Sequence, residues 1–158
     1  MIRFSRTCRR RGVTVVECAI IYPLTFLLML GLIIGGLGVF RYQEISSVAR
    51  EGARWASVHG YQCVQEANPT VGYPTLTTAS DVYANAIKPQ ADAANLDPPS
   101  LTYSVSWADA SQAPTYYDTT KNVWRTNTVT VKVTYQWIPE AYLGGITLTS
   151  TSVMPMTY

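Results

Sequence analysis

The chain has 158 residues, of which 47% are hydrophobic and 14% charged, and its net charge is +2 at pH 7. This length allows one modest domain together with one membrane-spanning segment. A single histidine, His59, excludes a metal site built from several histidines.

The first twelve residues form an arginine-rich leader. Five arginines precede Gly12, namely Arg3, Arg6, Arg9, Arg10 and Arg11. From Tyr42 onward the balance is reversed, because six Lys and Arg face nine Asp and Glu, a net charge of −3. Positive charge accumulates on the cytoplasmic side of a membrane span. The asymmetry therefore predicts a cytoplasmic leader at residues 1–12 and an extracytoplasmic C-terminal part, and it favours this topological role over binding of nucleic acid.

The leader runs into a 28-residue stretch, Val13–Phe40, whose one charged residue is Glu17. Its apolar part, residues 18–40, is long enough as a helix to cross a hydrocarbon core of about 30 Å. A secretory signal peptide has a shorter apolar region followed by a cleavage site with small residues. A lipoprotein signal would place the apolar run before Cys18, whereas here it follows. We therefore expect the segment to remain in the mature protein.

The first helix is predicted to continue beyond the membrane and to cover residues 13–60. At helical spacing, residues 42–58 divide into an apolar face and a polar face. The apolar face comprises Tyr42, Ile45, Val48, Ala49, Gly52, Ala53, Trp55 and Ala56. The polar face comprises Gln43, Ser47, Arg50, Glu51 and Arg54. Gly60 is a suitable residue to end the helix.

Residues 61–158 are predicted to form an extracytoplasmic α+β domain packed on the outer half of that helix. After an irregular segment over residues 61–78, Ser80 is the expected N-cap of a second helix. Pro89 is expected either to kink or to break this helix, and the Leu96–Pro99 run is expected to end it. Alternating apolar residues predict strands over 101–107 and 128–137. A third strand over 146–158 is expected at an edge or with a bulge, since Pro155 cannot donate to a ladder. Residues 109–125 are expected to be a polar connection.

Three stretches carry a resemblance to a known family. They are RRRGVTVVECAIIYPLTFLLML at the N-terminus, SSVAREGARWAS (residues 46–57), and the closing VTVKVTYQWIP with LGGITLTSTSVMPM. The chain resembles TadE-like pilus assembly proteins, minor pseudopilins of tight-adherence (Flp-type) pilus systems with a type IV pilin-like N-terminus. One departure is Cys18, at a position where the family commonly has an aromatic residue.

The resemblance implies a structural subunit, not an enzyme, in the bacterial inner membrane, from which it can enter a pilus. It implies cleavage between Gly12 and Val13 by a prepilin peptidase, which makes Glu17 the fifth residue of the mature chain and a residue of subunit assembly. The implied partners are this peptidase, other pilins or pseudopilins, the inner-membrane assembly machinery and the lipid bilayer. No cofactor, metal or nucleic acid is expected.

Several residues admit a second reading. Pro23 is expected to bend the membrane helix, with or without a role in subunit packing. Gly31 and Gly35 form a GxxxG pair that permits close helix approach, although Gly is common in membrane spans. The Arg50, Glu51, Gly52 and Arg54 motif is either a solvated face or a partner contact.

For the chain as a whole, the alternative function is an uncleaved bitopic protein whose outer domain binds a partner or the cell wall. A membrane-tethered enzyme is disfavoured, because the outer domain offers no catalytic constellation.

Overall fold

The computed structural model describes residues 11–61, 76–96, 98–138 and 144–157, and side chains from residue 14 onward. Helix α1 covers Arg11–Val58 without interruption, 48 residues in all. This confirms the long N-terminal helix, although it begins two residues before Val13, where we expected its start. The leader before Arg11, Cys63 and the turn at Pro139 lie outside the described residues.

The chain divides into two compact units, one ending at Gly38 and the other covering Val39–Tyr158. Within the second unit, the small residues of α1 face the core. Fully buried positions alternate at helical spacing, and they are Ile45, Val48, Ala49, Ala53 and Ala56. The predicted apolar face is therefore confirmed except at Tyr42, whose side chain is 48% exposed. Tyr42 lies one turn before Ile45, the first buried residue of the helix, so its ring has no core to enter.

Helix α2 covers residues 79–93 in three contiguous segments: an α-helical turn Ala79–Val82, a π-helical turn Tyr83–Ile87 and an α-helical stretch Lys88–Ala93. Its N-cap is Thr78 rather than the predicted Ser80. The Thr78 hydroxyl accepts a hydrogen bond from the backbone N–H of Asp81, and the Asp81 carboxylate accepts one from the backbone N–H of Thr78 at 2.8 Å. This reciprocal pair of hydrogen bonds is a capping box. It satisfies the backbone N–H groups of Thr78 and Asp81, which a cap at Ser80 would leave without these partners.

The sequence predicted a kink or a break at Pro89, and α2 continues through this residue without a break. The π-helical turn directly precedes it, and the backbone N–H of Lys88 donates to the carbonyl of Tyr83, five residues earlier. A π turn widens the helix locally. Because the widening falls just ahead of the proline, the missing N–H and the ring of Pro89 are accommodated without a break.

The end of α2 is set by Asn95, which adopts a left-handed conformation with φ of 54°. The backbone N–H of Leu96 donates to the Ala91 carbonyl at 3.0 Å, and that of Asn95 donates to the Asp92 carbonyl at 3.1 Å. These two bonds define a Schellman motif, and the buried side chains of Leu96 and Ala91 provide its apolar contact. Pro98 and Pro99 come after this motif, so the helix has already ended at Asn95 before the chain reaches them.

A three-stranded antiparallel sheet packs against α1 and α2. Its strands are β1 (Leu101–Trp107), β4 (Thr128–Trp137) and β5 (Ile146–Pro155), in the order β1-β4-β5. The inward residues of β4 are buried and include Val129, Val131 and Val133. On β1, Tyr103 is 36% exposed rather than buried, and its ring instead stacks on Tyr83 of α2 with centroids 4.5 Å apart. The predicted three strands are confirmed, and β5 is an edge strand paired with β4 from Ile146 to Pro155 without a bulge.

The segment predicted as a polar connection contains a separate two-stranded antiparallel sheet. Its strands are β2 (Thr115–Asp118) and β3 (Val123–Thr126). The intervening turn holds Asn122 in a left-handed conformation with φ of 51°, and the Asp118 side chain accepts hydrogen bonds from the backbone N–H groups of Thr120 and Lys121. Alternation over four residues was too short to predict these strands, because the polar turn dominates the composition of the segment.

Candidate functional site

The first part of α1 exposes its apolar side chains on every side. Large apolar residues between Val15 and Phe40, apart from the half-buried Ile34, are exposed from 42% at Leu30 to 75% at Leu32. Of the described residues, α1 is the one helix long and apolar enough to cross a membrane. An apolar surface of this extent is unfavourable in water, and a helix that is apolar all round belongs in lipid or among other helices.

Glu17 lies near the start of this apolar surface and is exposed. No described residue forms an ion pair with its carboxylate. Val13 lies one helical turn before it, on the same side of α1. The described residues therefore leave the one carboxylate of the apolar segment available to a cation from elsewhere.

Pro23 lies inside α1 and cannot donate a backbone hydrogen bond to the carbonyl of Ala19. Two residues later, the Thr25 hydroxyl donates to the Ile21 carbonyl at 2.8 Å, a second departure from regular backbone bonding in the same turn. The helix remains α-helical through both residues. A membrane helix tolerates such a proline when neighbouring groups supply the missing bonds.

Gly31 and Gly35 face open space. A Cβ atom built at either position meets no atom within 4 Å, and the same holds for Gly36. The glycine row therefore has no packing role within the described chain. It leaves the backbone of α1 accessible to another helix, so the packing role assigned to Pro23, Gly31 and Gly35 remains a prediction about neighbouring molecules.

The structure separates the Arg50, Glu51, Gly52 and Arg54 motif into two groups. Gly52 is buried and faces Ile87 of α2 and Val131 of β4. The three charged residues are exposed, and Arg50 makes one local bond, from Nε to the Ser46 carbonyl at 3.3 Å. Gly52 therefore serves the core of the outer domain, whereas the charged residues are free for contacts with other molecules.

Sequence reasoning missed an anchoring contact at Arg41, directly after the apolar run. Arg41 Nη1 donates to Glu44 Oε2 at 2.8 Å and to the carbonyl of Ala94 at 3.0 Å. The second bond attaches the start of the outer half of α1 to the C-terminal end of α2, where unpaired carbonyls attract a cation. Spacing along α1 indicates the pair with Glu44, but nothing in the sequence indicates Ala94.

The opposite end of the outer domain is anchored by the last described residues. The backbone N–H of Thr157 donates to the Ser57 carbonyl at 3.0 Å, and that of Met156 donates to the Asn127 carbonyl at 2.9 Å. Asn127 is fully buried, and its side chain exchanges two hydrogen bonds with the backbone of Asp109. The C-terminal end of α1, the start of β4 and the end of β5 are thus held together.

The described residues contain no group of three or more His, Cys, Asp or Glu side chains that could hold a metal ion. Asp81 is the one described group whose pKa is clearly displaced. Hydrogen bonds from the Thr78 hydroxyl and the Thr78 backbone lower the pKa of this carboxyl below its usual range. Since this shift belongs to a helix cap, it marks a structural element and not a reactive site.

A comparison with known families agrees with these features. The family model described as TadE-like protein matches residues 12–54. No match was found among curated proteins or among solved structures. The match contains Gly12, the apolar segment with Glu17, and the Arg50–Arg54 motif. The resemblance to TadE-like proteins is therefore confirmed for residues 12–54 of this chain.

Proposed function

We propose that this protein is a structural, non-enzymatic subunit of tight-adherence pilus assembly, held in the bacterial inner membrane by the apolar part of α1. The TadE-like match supports involvement in the assembly of such pili. The observation that carries the finer proposal is an exposed carboxylate, Glu17, on an apolar helix with no cation from the described chain beside it.

The charge distribution supports an orientation with the N-terminus in the cytoplasm. Five leader arginines precede the span, and the residues after Tyr42 carry a net charge of −3. Arginines close to a span favour its retention on the cytoplasmic side. In this orientation the β-sheet domain lies outside the membrane, and a peptidase acting at Gly12 works on the cytoplasmic face.

Cleavage after Gly12 would supply the cation that Glu17 lacks. It removes the five leader arginines and creates an α-amino group on Val13, whose pKa is ordinarily about 7.7–8.0. If this amine lies about 4 Å from the Glu17 carboxylate, the electrostatic attraction between them is about 4 kcal/mol at an effective dielectric constant near 20. The cost of removing both charges from water offsets much of this energy. We assign the pairing amine to a neighbouring subunit, where it selects the register of packed helices more than it adds stability.

The alternative is an uncleaved bitopic protein whose outer domain binds a partner or the cell wall. Both functions use the same span and the same outer domain. They differ in whether the leader is removed and whether α1 ever leaves the bilayer. Processing at Gly12 therefore separates them.

The experiment is an intact-mass measurement on protein from native membranes of cells that contain a prepilin peptidase. We expect a mature chain that begins at Val13, and accumulation of the Met1-containing precursor in Gly12→Leu. Gly36→Leu is the matched control, because a side chain at Gly36 meets no atom within 4 Å and the cleavage site is unchanged. Precursor as the sole wild-type species would favour the uncleaved alternative.

A further inference from the structure

The hairpin formed by β2 and β3 has one face without charge and one mixed face. Tyr117 pairs directly with Trp124, and Thr115 with Thr126, so these four side chains share the first face. The opposite face carries Tyr116, Asp118, Val123 and Arg125, and the side chains of Asp118 and Arg125 form an ion pair at 3.0 Å. The first face is therefore uncharged and flanked by two hydroxyl groups.

The aromatic pair is strongly exposed. Trp124 is 69% exposed and Tyr117 is 47% exposed. Their rings meet at 64° with centroids 5.5 Å apart, which leaves an open corner with two aromatic walls. A tryptophan contributes most to stability when its large apolar surface is buried, and an isolated two-stranded hairpin is only marginally stable. The cross-strand pair stabilises the hairpin modestly, and it still leaves most of the Trp124 surface open to a bound molecule.

The hairpin begins at the end of the outer domain where α1 ends. The backbone N–H of Asn127, just after β3, donates to the carbonyl of Pro114, just before β2. Asn127 is in turn connected through Met156 and Thr157 to Ser57 at the end of α1. Ser57 is about 24 Å along the helix from Arg41. The aromatic corner therefore belongs to the end of the domain at which α1 ends.

The size and charge of this face define what it can hold. Four residues on each of two strands present a surface of about 10 Å by 14 Å, far below the roughly 800 Å² that each partner contributes to a stable protein interface. A pyranose ring matches this size, stacks its C–H groups on an aromatic face and bonds to neighbouring hydroxyls. The absence of charge on the face favours a neutral sugar over a sugar acid or a phosphate.

We propose that the corner formed by Tyr117 and Trp124 binds the glycan strands of the cell wall at their N-acetylglucosamine rings, which carry no charge. Trp124 supplies the stacking surface, Tyr117 contacts the ring edge, and the Thr115 and Thr126 hydroxyls bond to the sugar. The site tethers the outer domain to the wall. Its placement outside the membrane rests on the orientation proposed above, whereas the binding chemistry does not.

The test uses the full-length protein in lipid nanodiscs and cell-wall sacculi stripped of protein. We expect wild-type protein to sediment with the sacculi and chitotetraose, a neutral N-acetylglucosamine tetramer, to displace it, while maltotetraose does not. Trp124→Ala should weaken binding by about tenfold, the size expected for loss of one aromatic contact. Tyr42→Ala is the matched control, since Tyr42 is a similarly exposed aromatic residue at the other end of the domain.

Three results would overturn the proposal: wild-type protein that does not sediment, Trp124→Ala that binds as wild type does, and binding that chitotetraose leaves unchanged. Binding that disappears at high salt would also contradict it, because neutral stacking is not screened. Circular dichroism checks that Trp124→Ala is folded. None of these measurements depends on cleavage at Gly12 or on pilus formation, so this proposal and the proposed function can fail separately.

Discussion

Gly52 of α1 approaches the side chain of Ile87 so closely that a Cβ atom added at Gly52 would lie 3.0 Å from Ile87 Cγ1. The same added Cβ atom would lie 3.3 Å from Val131 Cγ1 of β4. The glycine of the Arg50–Arg54 motif is therefore the point where helix α1, helix α2 and the sheet meet. Its lack of a side chain sets the distance among these three elements.

We predict that Gly52→Ala destabilises the outer domain by about 1–3 kcal/mol, because the added methyl group overpacks the core. Arg50→Ala, an exposed change two residues away, should shift stability by less than about 0.5 kcal/mol. Chemical denaturation of the full-length protein in detergent measures both. In the double variant Gly52→Ala/Ile87→Ala the two losses should not add, since the second change makes room for the first. Additive losses would show that Ile87 is not the obstacle.

The capping box of α2 predicts a dependence on pH. Hydrogen bonds from Thr78 lower the pKa of Asp81 in the folded state. The ionised carboxylate therefore stabilises the fold at any pH above the ordinary Asp pKa of about 3.9. This stabilisation is lost as the pH falls through the lowered pKa of the folded state. We expect Asp81→Asn to be slightly less stable than wild type at neutral pH and equal to it in strong acid. Thermal unfolding across that range is the measurement.

A companion variant separates the cap from the charge. Thr78→Ala removes the hydroxyl that accepts from the Asp81 backbone, and it should cost about 1 kcal/mol at neutral pH. Ser80→Ala is the matched control, because the structure places the cap at Thr78. If Ser80→Ala lost more stability than Thr78→Ala, the N-cap would be Ser80, as the sequence predicted.

Glu17→Val should insert, fold and be cleaved, because the replacement makes the span more apolar, but it should not support pilus assembly. We expect surface pili to fall by about tenfold or more if the carboxylate selects the register through a neighbouring Val13 amine. Ile20→Val, a nearby change that leaves the charge intact, should assemble normally. Counting pili by electron microscopy beside an intact-mass measurement separates assembly from cleavage. Wild-type pilus numbers with normal cleavage would show that Glu17 has no pairing role.

The orientation can be tested with a cysteine placed in the hairpin turn. In a Cys63→Ser background, Thr120→Cys should react with a membrane-impermeant thiol reagent when the outer layers are opened. Thr120 is exposed, and the proposed orientation puts the turn on the extracytoplasmic side. In the Gly12→Leu precursor, which keeps the leader, Cys8 should react only after the inner membrane is permeabilised. Labelling of Cys8 without Thr120→Cys in sealed inner membranes would reverse the proposed topology.

Local patterns predicted those features that neighbouring residues fix by themselves. The apolar run of α1, its division into an apolar and a polar face, and the alternation of β1 and β4 follow from periodicity. Thr78 and Asp81 also have the spacing of a capping box, but the adjacent Ser80 offered a competing cap. The hairpin escaped prediction because two four-residue strands are too short for alternation to be distinguished from a polar connection.

The sequence by itself determined that one helix carries an apolar segment with a single carboxylate, because length, hydropathy and charge are properties of contiguous residues. Only the tertiary structure decided which distant residues meet. Arg41 donates to Ala94, and Gln112, with φ of 56°, exchanges two hydrogen bonds with the backbone of Thr77, 35 residues away along the chain. Such bonds form between residues with no common period, so they depend on how the whole domain packs. The same packing leaves Trp124 exposed and buries Gly52. Residue type alone would predict the opposite, because a large aromatic side chain has more apolar surface to bury than a glycine.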